Sequence, residues 1–548
     1  MRQLSLFFVT LFILGKITPL SSQTKTPGDT KTKLVVGIVV DQMRNDYIYR
    51  YWDRFGAGGF KRLINEGYYF KNAHYNYIPT YTGPGHCSIY TGATPRTHGI
   101  IANDWYNKNN STMQYCVSDT SVRSVGSDST SGQMSPHNQL SSTIGDELIM
   151  SSNKGSKVFG IALKDRSAIL PAGHAANAAF WYDDASGNFI SSTWYMKELP
   201  IWLTNFNDKK LPASYLQKGW STLYPIESYT NSIADENNYE AAPNKKEKAV
   251  FPYEYKSYLN KNSFGVLKMT PFGNTITKEL SLECLRSEKL GKDNDCDLLC
   301  ISFSSPDYIG HYYGPRAIET EDIYLRLDKE LEDLLNALDK EVGKNNYTVF
   351  LTADHGGADV PAHLLDSKIP AGYLKESKVT KEVKSYFKST YGDTLLLANI
   401  SNEQVFLNEE KLRELKLDKN KVETDLCAFL ISLKGIAEAY PSSVLRNEAF
   451  AQNNLPSLLQ NGYNHKLSGH VSFVYQAAWM DYSEKGTTHG AGYNYDTHVP
   501  IIFYGNGIKK GLNFNYITIT QIAPTVCELL QINQTNSCIS EPLNTYFR

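Results

Sequence analysis

Four stretches of the chain are apolar without alternation: Lys33–Val40, Lys157–Leu163, Asp297–Ser304 and Tyr347–Thr352. Unbroken apolar runs of this length predict strands buried on both faces, the habit of a parallel sheet. Each gives way at once to ionisable residues: Asp41, then Lys164-Asp165-Arg166, then Asp307, then Asp354-His355. Helical periodicity is expected over 55–67, 140–151, 318–341 and 520–531. It is clearest in the third, where Ile323, Leu327, Leu331, Leu334 and Leu338 share one face. A closing strand is expected over Val499–Tyr504. Periodicity weakens over 170–275, rich in Tyr, Trp, Asn and Ser, which reads as an insertion. Residues 375–480 read as a second insertion of strand, helix, strand, helix, strand. The layout predicts an α/β fold, a mostly parallel sheet with helices on both faces, spanning 33–548 and carrying two insertions. Ligands of such sheets collect beyond the carboxyl ends of the strands, so Asp41, Asp307, Asp354 and His355 should converge. Each alone has a plainer meaning, since an Asp after a strand is commonly a turn or helix cap.

Residues 78–86, Ile-Pro-Thr-Tyr-Thr-Gly-Pro-Gly-His, read as strand, sharp turn and helix start, with Thr82 at the turn. Gly83 and Gly85 leave room for a ligand near the backbone, and Pro84 suits a first helical turn. Amide groups at such a terminus favour an anion, and a hydroxyl there acts as a nucleophile once its pKa is lowered. A Thr N-cap before a buried helix is the competing explanation.

The residues that follow the strands permit a specific chemistry. Asp307 and His311 lie one helical turn apart and can share an ion. Asp354 and His355 are adjacent, and Gly356-Gly357 permits an immediate turn. Imidazole and carboxylate ligands without thiolate suit zinc in an open site. Two such ions, typically about 3.5–4 Å apart, clamp an in-line phosphoryl displacement. Lys164 and Arg166 alternate in a strand-like register that can aim both at equatorial phosphoryl oxygens. A solvated strand end is the alternative for that pair.

Composition narrows the picture. Lys+Arg 55 against Asp+Glu 57 gives a net charge of -2 over 548 residues, which argues against a nucleic-acid-binding domain. Arg2, an apolar Leu4–Leu14 and Leu20-Ser21-Ser22 have the form of a signal peptide over 1–22, with an uncleaved anchor as the alternative. No cysteine directly follows the apolar run to suggest a lipoprotein anchor, and no later stretch reaches membrane-spanning length, so the mature protein is expected to be periplasmic or secreted. Eight cysteines in an exported chain permit disulfides, Cys284–Cys296 and Cys527–Cys538 being the plausible pairs.

Taken together, Pro79-Thr-x-Thr82-x-Pro84, Thr91-Gly-x-x-Pro-x-x-His-Gly-Ile100, Pro306-Asp-x-x-Gly-His311, Thr352-Ala-Asp-His-Gly356 and Thr488-His-Gly490 resemble the alkaline phosphatase superfamily. The resemblance runs from Lys33 to the last helix. It is nearest to the zinc-dependent, PafA-type bacterial alkaline phosphatases, which share their build with nucleotide pyrophosphatase/phosphodiesterases. It implies one zinc on Asp307, His311 and His489, and a second on Asp41, Asp354 and His355 with the Thr82 oxygen. It also implies that Thr82 is the nucleophile of a phosphothreonine mechanism with retention at phosphorus. Asn103, Lys164 and Arg166 would bind the phosphoryl group of a small-molecule monoester. Thr82-Gly-Pro-Gly-His86 lacks the arginine of a sulfatase motif, and no clear ligand set for a third, magnesium ion occurs. Lys164 would supply charge where relatives use that ion. A phosphodiesterase with the same metals, and an exported protein that binds phosphorylated ligands without turnover, are the alternatives.

Overall fold

The structure is a computed structural model that describes residues 31–241, 248–259 and 263–547. The expected signal segment, 1–22, lies outside the described residues. The strands that matter for the site are β1 (Leu34–Val40), β2 (Tyr68–His74), β3 (Val158–Ala162), β4 (Ala178–Asp183), β5 (Asp297–Phe303), β6 (Tyr347–Thr352) and β7 (His498–Gly505). They lie in the order β2-β7-β6-β1-β5-β3-β4 within the largest sheet among the described residues. The five strands β6, β1, β5, β3 and β4 run parallel, while β7 is antiparallel to both β6 and β2. The register is unbroken around β1, where Val36 stands between Leu299 and Val349. All seven residues of β1 are buried, so both faces of the sheet are covered there.

Four helices carry or brace the site: α1 (Thr82–Thr91), α2 (Asp165–Ala172), α3 (Ser305–Tyr313) and α4 (Ile318–Glu341). The expected stripe of α4 is real, and Ile323, Leu327, Leu331, Leu334 and Leu338 are all fully buried. Burying each such side chain stabilises the fold by about 1.5–3 kcal/mol before entropy is subtracted. The helix packs on α3 and on the helix Phe272–Ser287, and so holds α3 against the sheet.

Three expectations need correction. The segment 170–275 is not an insertion from its start. Strand β4 pairs parallel with β3, and Asn188–Ser192 pairs antiparallel with β4, so 178–192 builds the sheet itself. The aromatic, non-periodic sequence hid these strands because Phe180 and Trp181 are buried in the sheet with no polar alternation. Lys164 and Arg166 are not on a strand. Strand β3 ends at Ala162, Lys164 caps α2, and Arg166 lies in its first turn. Finally, all eight cysteines are free thiols, and Cys284 and Cys527 are enclosed in the apolar core.

Residues 374–479 gather around a hydrophobic core of their own that includes Val383, Phe387, Leu426 and Phe473. Its sheet has the order Leu397–Ser401, Gln404–Leu407, Val471–Tyr475 and Ile436–Pro441, all antiparallel. The first hairpin turns at Asn402 and Glu403, both with positive φ (52° and 56°), and Asn402 Nδ2 donates to the Asp104 carbonyl (2.7 Å). Among the described residues no helix is long and apolar enough to cross a membrane.

Candidate active site

Asp41 directly follows β1, Lys164 follows β3, Asp307 follows β5 within α3, and Asp354 and His355 follow β6. Parallel strands therefore deliver all five to one end of the sheet. Helix α1 aims its N-terminus at the same place. Tyr81 is extended (φ −112°, ψ 161°), the helix begins at Thr82, and Thr82 is buried. The Thr82 hydroxyl lies 3.4 Å from Lys164 Nζ and 3.5 Å from His355 Nε2. Thr82 is thus the first residue of the helix, and its cap is Tyr81.

Gly85 is required by this approach. A Cβ there would overlap the Asp354 carbonyl, so helix and strand end touch backbone to backbone. Gly85→Ala is expected to cost about 1–3 kcal/mol in a urea or thermal melt, the usual range for overpacking. An unchanged melting curve would contradict the contact.

Three histidines point the same nitrogen inward. His311 Nδ1 lies 2.8 Å from the Thr487 carbonyl, His489 Nδ1 2.7 Å from the Thr80 carbonyl, and His355 Nδ1 2.8 Å from the Gly356 carbonyl. A carbonyl only accepts, so each Nδ1 carries a proton, and in the neutral ring Nε2 presents a lone pair. Burial lowers His355 and His489 toward that neutral form, whereas the Asp307 carboxylate outweighs burial and raises His311. Those Nε2 atoms meet carboxylates. His311 Nε2 is 3.1 Å and His489 Nε2 3.5 Å from Asp307 Oδ1, while His355 Nε2 is 3.6 Å from Asp41 Oδ1 and 3.4 Å from Asp354 Oδ2. Asp41 Oδ1 and Asp354 Oδ2 are buried without a hydrogen-bond donor. Around His355, acceptors facing acceptors in a dry site fit a divalent cation, with imidazole and carboxylate as its ligands. Around Asp307, His311 and His489 offer the same ligand types once deprotonated.

Two groups of ligand atoms lie within 4.8 Å of one another: Asp307 with His311 and His489, and Asp41 with Asp307 and His355. The first coincides with an expected set. In the second, Asp307 stands where Asp354 was expected, so one carboxylate lies between both groups.

Charge follows from this crowding. Burial and the Asp354 carboxylate push Asp41 well above the usual range, and burial pushes Asp354 up to about 7. Burial would raise Asp307 too, but His311 and Lys164 outweigh it and hold it well below. Burial and the stacked His489 ring, 3.4 Å away between centroids, keep His355 neutral. Lys164 Nζ sits 2.7 Å from Asp41 Oδ2 and 2.5 Å from Asp307 Oδ2, and these acids outweigh burial and keep it protonated.

Asn103 and Arg166 stand beside this centre. Asn103 Oδ1 accepts the Gly83 N–H (2.8 Å). Arg166 Nη1 donates to the Tyr115 hydroxyl (3.0 Å), Tyr115 donates to Asp165 Oδ1 (2.5 Å), and Arg166 Nε is buried without a partner. Lys164, Arg166, Tyr115 and Tyr308 line a recess of about 310 Å³. His86 braces the turn, with Nδ1 on the Thr82 carbonyl and Nε2 on Ser302 (2.9 Å each). His498, the nearest rival to His489, instead bonds the Lys71 carbonyl (2.8 Å) and stacks on His74.

Gln42 went unnoticed in the sequence. Its N–H donates to Asp354 Oδ1 (3.1 Å) and its Nε2 to Asp307 Oδ1 (2.7 Å), with φ at 62°. Only its place after Asp41 could have drawn attention to it. Tyr115 was likewise invisible, because nothing local ties it to Arg166.

A family profile described as type I phosphodiesterase / nucleotide pyrophosphatase matches residues 35–490. The chain belongs to this family. Within the type I phosphodiesterase / nucleotide pyrophosphatase family it is 43% identical to alkaline phosphatase PhoV of Synechococcus elongatus over 514 residues, 93% of this chain and 92% of that one. It is 42% identical to alkaline phosphatase PafA of Elizabethkingia meningoseptica over 527 residues, 95% of each. A crystal structure of wild-type alkaline phosphatase PafA superposes with a TM-score of 0.91 at 41% identity, covering 94% of this chain and 99% of that one. The fold is therefore the alkaline-phosphatase-like fold of this family.

Proposed function

We propose that the protein is a zinc-dependent alkaline phosphatase, a phosphoric monoester hydrolase that works through a phosphothreonine on Thr82. One observation carries the proposal: the Thr82 hydroxyl lies at a helix N-terminus, 3.4 Å from a protonated lysine and 3.5 Å from an inward imidazole nitrogen. The high identity to alkaline phosphatases along nearly the whole chain supports it. Asp307, His311 and His489 would hold one zinc, and Asp41, Asp354 and His355 the other, beside Thr82, with the Asp307 carboxylate lying between the two positions and serving both. Bound there, the ions would supply Lewis-acid charge that eases deprotonation of a hydroxyl and stabilises a departing oxygen.

The chain's own groups do the rest. Thr82 Oγ1 bonds to phosphorus as the ester P–O bond breaks and the alcohol leaves. Water oxygen then bonds to phosphorus, the Thr82–phosphorus bond breaks, and phosphate departs. Lys164 stays protonated between Asp41 and Asp307, so it serves as fixed positive charge beside the oxygens and not as a base. The N-terminus of α1 adds its dipole. Asn103 and Arg166 would bind the phosphoryl oxygens that a monoester exposes and a diester lacks. The signal-peptide form of residues 1–22 would send the enzyme to the periplasm or beyond.

The diester reading is favoured by the family description itself, and one experiment separates the two. For the zinc-loaded protein, kcat/KM is measured on matched aryl monoester and diester phosphates at alkaline pH. A monoester preference is expected, and a diester preference would move the protein to the phosphodiesterase branch. Arg166→Ala should lower monoester kcat/KM by about 10²-fold, the scale of one lost charge-stabilising donor, and diester kcat/KM by clearly less. An equal loss on both would mean that Arg166 does not read the extra phosphoryl charge.

A further inference from the structure

A cavity of about 190 Å³ opens beside His489 on the side away from Lys164 and Arg166, between the His489 loop and the second core. A water's share of liquid volume is about 30 Å³, so the space suits a group the size of about six waters. Its charged walls are all acidic: Glu376, Glu403 and Asp481 line it, with Asp496 at its floor. The rings of Tyr81, Tyr475 and Trp479 complete it. Part of this acidity has structural work. Asp481 Oδ2 accepts the Glu376 N–H (3.1 Å), and Asp496 Oδ2 accepts the N–H groups of Gly490 (3.0 Å) and Ala491 (2.8 Å). Lys375, half exposed, reaches Asp481 Oδ1 at 3.6 Å.

What remains is unanswered negative charge. Asp496 Oδ1 is buried with no hydrogen-bond partner. Glu403 receives only the Tyr81 hydroxyl (3.3 Å), a neutral donor, at Oε2. It is placed there at a conformational cost, because the hairpin tip holds this non-glycine residue at φ 56°. Burial together with the neighbouring acids pushes Glu376 up to about 7 and Glu403 up to about 8. A cation would relieve that repulsion, and aromatic faces attract cations as well.

The wall shared with the site decides which part of a substrate arrives here. His489 faces Asp307 with Nε2 and this cavity with its ring, and Tyr81 directly precedes Thr82. A phosphoryl dianion would be repelled by these acids and is served by Lys164 on the other side. The alcohol is left for the acidic cavity.

We propose that this cavity is a leaving-group subsite that selects phosphate monoesters of amino alcohols, whose nitrogen is carried as an ammonium ion. The proposal rests on the phosphomonoesterase reading above.

Two esters of the same shape test it in the zinc-loaded full chain: phosphocholine, and 3,3-dimethylbutyl phosphate, in which carbon replaces the charged nitrogen. At pH 9, kcat/KM should favour the cationic ester by about 10-fold, the scale of a cation held by carboxylates and rings. In Glu403→Gln and, separately, Glu376→Gln that ratio should fall to about 3-fold or less, since one charge is removed without loss of shape. A wild-type ratio near one, with the neutral ester turned over, would overturn the subsite and leave the phosphatase intact. So would a ratio that neither variant changes. Turnover of neither ester would overturn both.

Discussion

Thr82→Ala should lower kcat/KM for phosphate monoesters by about 10³–10⁵-fold, the scale on which removal of a covalent nucleophile acts. The variant should also lose any phosphate label trapped on the protein by acid quench. Thr82 is buried at the first position of α1, so alanine keeps helix and cap while removing the γ-methyl and the hydroxyl that Lys164 and His355 face. Thr82→Ser should restore turnover to within about 10-fold, because the oxygen returns and only a methyl is missing. The stereochemical companion is a chiral phosphate product from wild type with retained configuration, the result of two inversions. Near-wild-type turnover in Thr82→Ala, or inversion in the wild type, would remove Thr82 from the reaction.

Asp307→Asn should disable both metal positions at once. Its Oδ1 meets His311 and His489 and accepts from Gln42, and its Oδ2 meets Lys164. It also belongs to both groups of convergent ligand atoms. An amide keeps the volume but loses the charge, and metal affinity should fall by at least about 100-fold at each position. After dialysis against a weak chelator, elemental analysis should find less than one zinc per chain. Asp354→Asn, which touches only the His355 side, should retain one. If Asp307→Asn keeps two ions, Asp307 is not shared.

The sequence foretold most of the sheet's centre and little of its flank. Strands such as β1 and β6 are legible because both faces are buried and the apolar run is unbroken. Strand β4 was missed because an aromatic run gives no period to separate strand from loop. Convergence of Asp41, Asp307, Asp354 and His355 followed from strand ends alone, since a parallel sheet must bring them together. Lys164 was expected near the site by an incorrect register, and it is near because it caps a helix that starts one residue after the turn. Gln42, Tyr115 and the Glu403 hairpin were illegible for a different reason. Their partners lie tens to hundreds of residues away, and neither composition nor spacing encodes a contact of that kind.

The three inward histidines are all oriented by main-chain carbonyls, those of Thr80, Gly356 and Thr487, and none by a carboxylate side chain. A main-chain oxygen cannot be mutated away. The identity of the neighbouring side chain can therefore drift at those positions without flipping an imidazole, provided the loop keeps its path. Catalytic orientation is inherited here with the backbone, and the side chains around it are free to diversify toward new leaving groups.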